Sequence, residues 1–139
     1  MSYKQLTRLP DSIGNIYTLT SLNITGNKLT QLPDSIGKLT KLDTLNVTDN
    51  WLSSIPENIG NLTRLIRLSF EDNHLMYLPE SIDSLTNLAY LYLGTNSLTY
   101  LPESIGNLKN LIWLHLGCNS LNRIPDSFGN FYNLVDLGL

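Results

Sequence analysis

Apolar residues alternate with polar ones in six short stretches of the chain. The pairs are Leu22/Ile24, Leu45/Val47, Leu68/Phe70, Leu91/Leu93, Leu114/Leu116 and Leu137/Leu139. Alternation over so few residues predicts short β-strands with one face turned inward and the other toward solvent. Consecutive pairs stand 23 residues apart. All six prolines keep that step, at positions 10, 33, 56, 79, 102 and 125, and so do Asn27, Asn50, Asn73, Asn96 and Asn119. A strict period of this length predicts stacked repeats, each a supersecondary unit that buries its apolar face only against its neighbours. Because every repeat runs the same way, the strands form one parallel sheet at about 4.8 Å spacing. The crossovers between them are expected to be right-handed.

The rest of the repeat supplies the turns. An asparagine side chain carries both donor and acceptor, so the five periodic asparagines are expected to satisfy buried backbone groups and bridge to the neighbouring coil. Each proline is followed by an acid: Asp11, Asp34, Glu57, Glu80, Glu103 and Asp126. Proline with an acid beside it suits the start of a short helix or 3₁₀ turn. Gly14, Gly37, Gly60, Gly106 and Gly129 are expected to end that turn, with Asp83 taking the place of glycine because Asp tolerates left-handed geometry. Half of the acids are thereby assigned to structure.

Aligned at the period, the repeats read Leu-x-x-Leu-x-Leu-x-x-Asn-x-Leu followed by Thr-x-Leu-Pro-x-Ser-Ile-Gly-x-Leu, as from Leu88 through Asn96 to Leu108. This pattern resembles the leucine-rich repeat family over essentially the whole chain. The 23-residue length with its Leu-Pro-x-Ser-Ile-Gly-x-Leu segment is similar to the intracellular class of Ras-associated scaffolds, plant cytosolic arrays and bacterial arrays that include pathogen effectors. The resemblance implies an α/β, right-handed, curved solenoid, with the parallel sheet on its concave face and helical or 3₁₀ turns on its convex face. Residues 1–139 are read as one domain of about six repeats. The resemblance also implies a protein-binding role whose partner is set by the variable positions.

Composition narrows the partners. The 139-residue chain has a net charge of −3 and a pI near 5.2, the wrong sign for neutralising phosphates, so no nucleic acid is expected. No apolar run approaches the roughly 20 residues of a membrane helix, and the start of the chain lacks the apolar stretch of a secretion signal. A lone cysteine, Cys118, forms no internal disulfide and suits a reducing compartment. The cytoplasm is the expected location, or a host cytoplasm for an effector-type array. Three Asn-x-Thr sequons, at Asn23, Asn46 and Asn61, are read as by-products of Asn- and Thr-rich repeats.

Function is sought where the repeats differ. The position before the first strand leucine holds Ser21, Thr44, Arg67, Tyr90, Trp113 and Asp136; the one between the strand apolars holds Asn23, Asn46, Ser69, Tyr92, His115 and Gly138. The first repeat's face is small and neutral, the middle is acidic through Asp49, Glu71 and Asp72, and repeats four and five are aromatic. Arg67, Tyr90, Tyr92 and Trp113 are expected to stack at inter-strand spacing, and they are residue types that dominate binding hot spots. Aromatics also favour strands and stack on one another, yet a tryptophan on a solvated face points to a partner. Trp51 beside His74 is read as rim, and Tyr77, Tyr100 and Met76 as cover for apolar flank.

The candidate partner-binding set is therefore Trp51, Arg67, Glu71, Asp72, His74, Tyr90, Tyr92, Trp113, His115 and Cys118. His115 and Cys118 are the remote alternative, a Cys-His enzyme, but no acid of their own repeat orients the base and an open sheet has no oxyanion pocket. Two histidines 41 residues apart and one cysteine make no zinc site, and no phosphate-binding glycine loop is present. No cofactor or metal is expected. The reading is a protein-interaction module, in its sharper form a regulator or inhibitor that occludes a partner enzyme; the alternative is a fragment of a larger scaffold or signalling protein. At the ends, Lys4 falls on the asparagine position, and the edge formed by Leu134, Leu137 and Leu139 is expected to be covered by another copy of the chain, by the partner or by further sequence.

Overall fold

The computed structural model describes residues 5–139. Six three-residue strands, β1 (Ser21–Asn23), β2 (Thr44–Asn46), β3 (Arg67–Ser69), β4 (Tyr90–Tyr92), β5 (Trp113–His115) and β6 (Asp136–Gly138), form one open parallel sheet in chain order. The register advances by 23 residues at each step, so Arg67 pairs with Tyr90, Tyr90 with Trp113, and Ser69 with Tyr92. Each return segment carries a five-residue 3₁₀ turn, from Asp11–Asn15 to Asp126–Asn130, and no α-helix occurs among the described residues. The expected solenoid is the fold.

The 3₁₀ geometry follows from apolar spacing. Ile36, Leu39 and Leu42 recur every three residues, as do Ile59, Leu62 and Leu65, and all six are fully buried. A 3₁₀ turn repeats every three residues and puts such a row on one side. Amides of Ile36, Leu39 and Leu42 accordingly donate to the carbonyls of Pro33, Ile36 and Leu39. Proline occupies the cap position and the acid opens the turn. The acids also act between coils: a Glu57 carboxylate oxygen accepts from the Ser81 amide (3.4 Å), and one of Glu103 accepts from the Ser127 amide (3.3 Å).

The asparagine ladder has the expected form. Asn73 Nδ2 donates to Phe70 O (3.1 Å) in its own coil and to Val47 O (3.0 Å) in the preceding one, while its Oδ1 accepts from the Leu52 amide (3.0 Å). Asn50, Asn96 and Asn119 repeat the pattern. Lys4 lies outside the described residues. A second ladder runs along the far side of the coils, where Asn87, Asn110 and Asn133 each donate to a carbonyl of the preceding coil at 2.7–2.9 Å.

The glycines differ from expectation. None of the return-segment glycines has positive φ; that geometry belongs to the turn after each strand, at Gly26, Asp49, Asp72, Thr95 and Cys118. Gly14, Gly37, Gly60 and Gly106 are needed for close stacking instead. A Cβ on Gly60 would stand 2.7 Å from Ser81 O, and one on Gly14 would stand 2.5 Å from Ser35 O. Asp83 replaces glycine at the step from repeat four to five, where its carboxylate accepts from Asn107 Nδ2 and Ser84 Oγ.

The core is a column of Leu, Ile, Val and Phe between sheet and return segments, with Phe70 its bulkiest fully buried member. Burial fades toward the last coil, where Leu137 and Leu139 are 40% and 67% exposed.

Candidate protein-binding face

Strand alternation turns residues 67, 69 and 71 and their equivalents onto the open face of the sheet, because Leu68 and Phe70 are fully buried. Four of the candidate residues meet there. The Arg67 guanidinium lies over the Tyr90 ring, 4.3 Å from its centroid, and one of its nitrogens donates to the Tyr92 hydroxyl (3.2 Å). Tyr90 meets Trp113 edge-on at 6.2 Å between centroids. Trp113 is 39% exposed, while Tyr90 and Tyr92 are half-buried. The patch is pre-organised, since a stacked and hydrogen-bonded arginine has little rotamer freedom left to lose on binding.

His115 extends the patch. Its ring stands edge-on to Tyr92 at 6.0 Å. Its Nδ1 lies 3.8 Å from a Glu71 carboxylate oxygen and its Nε2 lies 3.9 Å from one of Asp136. Looking for an acid only in the repeat that carries His115 misses them, because the structure brings two to the ring from other repeats, Glu71 from repeat three and Asp136 from repeat six. Glu71 reaches across because Gly94 leaves the intervening slot empty: a Cβ there would stand 3.3 Å from Glu71 Oε1. Gly138 plays the same part on the other side, where a Cβ would meet the His115 ring at 2.8 Å.

Asp72 and Cys118 share one column, both exposed and both with positive φ (52° and 57°). No hydrogen bond joins Cys118 to His115 among the described residues. Trp51 is half exposed but pairs with Lys28, whose Nζ lies 5.4 Å from the indole centroid and donates to Gln5 Oε1 (3.0 Å). It makes no ring contact with His74 among the described residues. Trp51 therefore belongs to a separate feature at the N-terminal rim, and Lys28 is the residue that reading the columns for aromatics passes over. On the flank, Met76, Tyr77 and Tyr100 stay 44–59% exposed, so they cover apolar surface only in part.

A shallow basin of about 310 Å³ lies beside the patch, floored by Thr44, Asn46, Thr48 and Ser69 and rimmed by Arg67, Glu71 and Tyr92. The Thr48 and Ser69 hydroxyls lie within hydrogen-bond distance (2.7 Å). A larger hollow of about 1010 Å³ runs among the return segments of repeats one to three, past Arg8, Asp11, Gln31, Lys38 and Asn58. Its lining includes no aromatic residue of the kind that anchors interfaces. No group of three or more His, Cys, Asp or Glu is placed to hold a metal among the described residues. No described helix is long and apolar enough to cross a membrane.

Comparison with known proteins agrees with this geometry. A profile of the leucine-rich repeat region matches residues 2–92, and a second leucine-rich repeat profile matches residues 86–139. The chain belongs to the leucine-rich repeat family. Among solved structures, the array superposes on a leucine-rich repeat protein of Leptospira interrogans with a TM-score of 0.76 and 32% identity, covering 97% of this chain and 40% of that one. The plant peptide hormone receptor RGFR1, solved in complex with RGF2, matches at 0.81 and 42% identity over 88% of this chain and 21% of the receptor. An internalin of Listeria monocytogenes matches at 0.79 and 26% identity over 93% of this chain and 37% of the internalin. The chain thus spans less than half the length of each. No curated protein sequence matches the chain. Leucine-rich repeat arrays are typically non-enzymatic modules for protein interaction.

Proposed function

We propose that this chain recognises a protein partner through the open face of its sheet, with Arg67, Tyr90, Tyr92 and Trp113 as anchors. The observation that carries the reading is the arginine locked between two tyrosines, with a partly exposed tryptophan at the end of the row. Glu71 stands beside Arg67 and Tyr92, exposed Asp49 and Asp72 occupy the turns after β2 and β3, and this negative charge favours a partner whose contact surface is basic, through faster and better oriented encounter. The presence of a peptide hormone receptor and an internalin among the structural neighbours is compatible with this role.

Occlusion of a partner enzyme is the sharper form of the proposal, since a long open face covers a convex surface. A scaffold fragment is the second reading, supported by the small share of each neighbour that the chain spans. The unpaired, exposed Cys118 supports a reducing compartment such as the cytoplasm. We propose that Leu137 and Leu139, exposed at β6, are covered by a second copy of the chain, by the partner or by further sequence; if a second copy covers them, the chain self-associates. Light scattering of the 139-residue chain should then show a larger species that Leu137→Lys reduces.

Affinity capture on immobilised wild-type chain, compared with a Tyr92→Ala/Trp113→Ala chain, tests the main reading. Each single alanine is expected to weaken binding by about 2 kcal/mol, roughly thirtyfold. Trp113→Ala is expected to cost stability no more than about 1 kcal/mol, the scale of one aromatic pair. Equal capture by both chains, or loss of binding that only tracks unfolding, would contradict it.

A further inference from the structure

The residue that leads into each strand forms a column of its own along the flank of the coils: Thr20, Asp43, Ile66, Ala89, Ile112 and Val135. It is polar in repeats one and two and apolar from repeat three onward. That change falls at the repeat where the next column turns to Arg67, Tyr90 and Trp113. Ile66 and Val135 are 47% and 81% exposed, and Ala89 and Ile112 between them are half-buried. The amide of each member donates to the carbonyl of the member before it at 2.8–2.9 Å, so the side chains stand in line at strand spacing, about 4.8 Å. A single exposed isoleucine calls for no explanation, but a contiguous apolar stripe beside an aromatic patch marks a contact surface.

The main chain beneath the stripe decides what form of partner fits. Ile66 O accepts from the amides of Ala89 and Tyr90, Ala89 O from those of Ile112 and Trp113, and Ile112 O from those of Val135 and Asp136. Both lone pairs of each carbonyl are engaged and every amide of the stripe has its acceptor, so no backbone group is left to pair with an added strand. An extended segment laid here would bury its own N–H and C=O groups against isoleucine and valine without partners. An α-helix satisfies its main chain internally and offers only side chains. No α-helix occurs among the described residues, so a second copy of the chain does not supply it.

We propose that Ile66, Ala89, Ile112 and Val135 seat an amphipathic α-helix of the partner, laid along the stack of coils at the border of the open face. The inference deepens the open-face reading, on which it rests for the existence of a protein partner. Four members at strand spacing span about 14 Å, roughly two and a half turns of helix at about 5.4 Å each. Apolar residues at i, i+3 or i+4 and i+7 of the helix meet the stripe. The rim away from the aromatics is polar. Exposed Asn87, Asn110 and Asn133 stand two residues before Ala89, Ile112 and Val135, and each Nδ2 donates to a carbonyl of the preceding coil. Their Oδ1 atoms accept no hydrogen bond among the described residues, which leaves them open to Lys, Arg or Ser donors beside the apolar stripe of the helix.

Random linear peptides of about 18 residues, roughly five turns when helical, are displayed on phage and selected on the 139-residue chain. The winners are measured against an Ile66→Thr/Ile112→Thr chain, a Val135→Asp chain and a Trp113→Ala chain. Threonine already occupies this column as Thr20, so the double variant is expected to keep its fold, which melting curves check; Val135 is the most exposed member of the stripe. The peptides are expected to gain helical circular dichroism on binding and to shift the methyl signals of Ile66, Ile112 and Val135. They are expected to bind both stripe variants at least about tenfold more weakly than wild type. Peptides that stay non-helical when bound, equal affinity for wild type and the stripe variants, a loss that only tracks unfolding, or failure to select any peptide overturns the proposal. Binding that needs Trp113 but not the stripe overturns it while sparing the open-face reading. Helical binding that needs the stripe but not Trp113 upholds it and fails that reading.

Discussion

Each asparagine of the ladder replaces several backbone partners at once, which makes it the residue least replaceable by an apolar one of similar size. Asn73→Leu leaves the Leu52 amide buried without an acceptor and strips one donor each from Val47 O and Phe70 O. A loss of about 3 kcal/mol is expected in denaturant melts. Asn46→Leu removes only the acceptor of the half-exposed Thr48 amide and should cost about 1 kcal/mol. The Ser81 hydroxyl shows the opposite case, buried against Gly60 with no partner. Ser81→Ala should raise stability by about 1 kcal/mol, because it removes an unsatisfied group without opening a cavity the size of a side chain. At this scale the sequence is informative about the ladder, whose donor and acceptor needs follow from asparagine chemistry. It misleads about glycine. Gly14 and Gly60 recur for close approach and not for handedness, while the positive-φ turn tolerates Asp, Thr and Cys. A period shows that a residue is required without showing which physical property is.

At the scale of the element, the six strands and six return segments are legible in the sequence because two periodicities coexist in each repeat, two for the strand and three for the turn. Contact between elements that are not neighbours is not legible. Glu71 in repeat three approaches His115 in repeat five only because Gly94 is empty, so the contact depends on an absent side chain. The second asparagine ladder escapes notice for a similar reason: Asn87, Asn110 and Asn133 follow Thr18, Lys41 and Arg64 in the same column, so the pattern is incomplete. Stacking of the return segments gives a direct check. Gly60→Ala must push Ser81 away from a 2.7 Å approach and should destabilise by about 2 kcal/mol. Gly129→Ala, with nothing within 4 Å of the added methyl, should leave the melting curve within about 0.5 kcal/mol of wild type.

At the scale of the molecule, a solenoid separates structure from recognition: the core column is uniform, and the open face differs from one repeat to the next. Arg67, Tyr90, Tyr92 and Trp113 adjoin one another on that face, while Asp49 and Asp72 stand in the turns that follow the strands. Trp51 stands apart because it packs against Lys28, the member of its own column in the preceding repeat. The central claim is that a partner is held on repeats three to five of the open face. Hydrogen exchange of the chain with and without its captured partner tests it most directly. Protection should rise in 67–74, 90–97 and 113–120 and stay unchanged in the 3₁₀ turns at 11–15, 34–38 and 57–61. Protection confined to those turns, with the strand segments exchanging as in the free chain, would contradict the account.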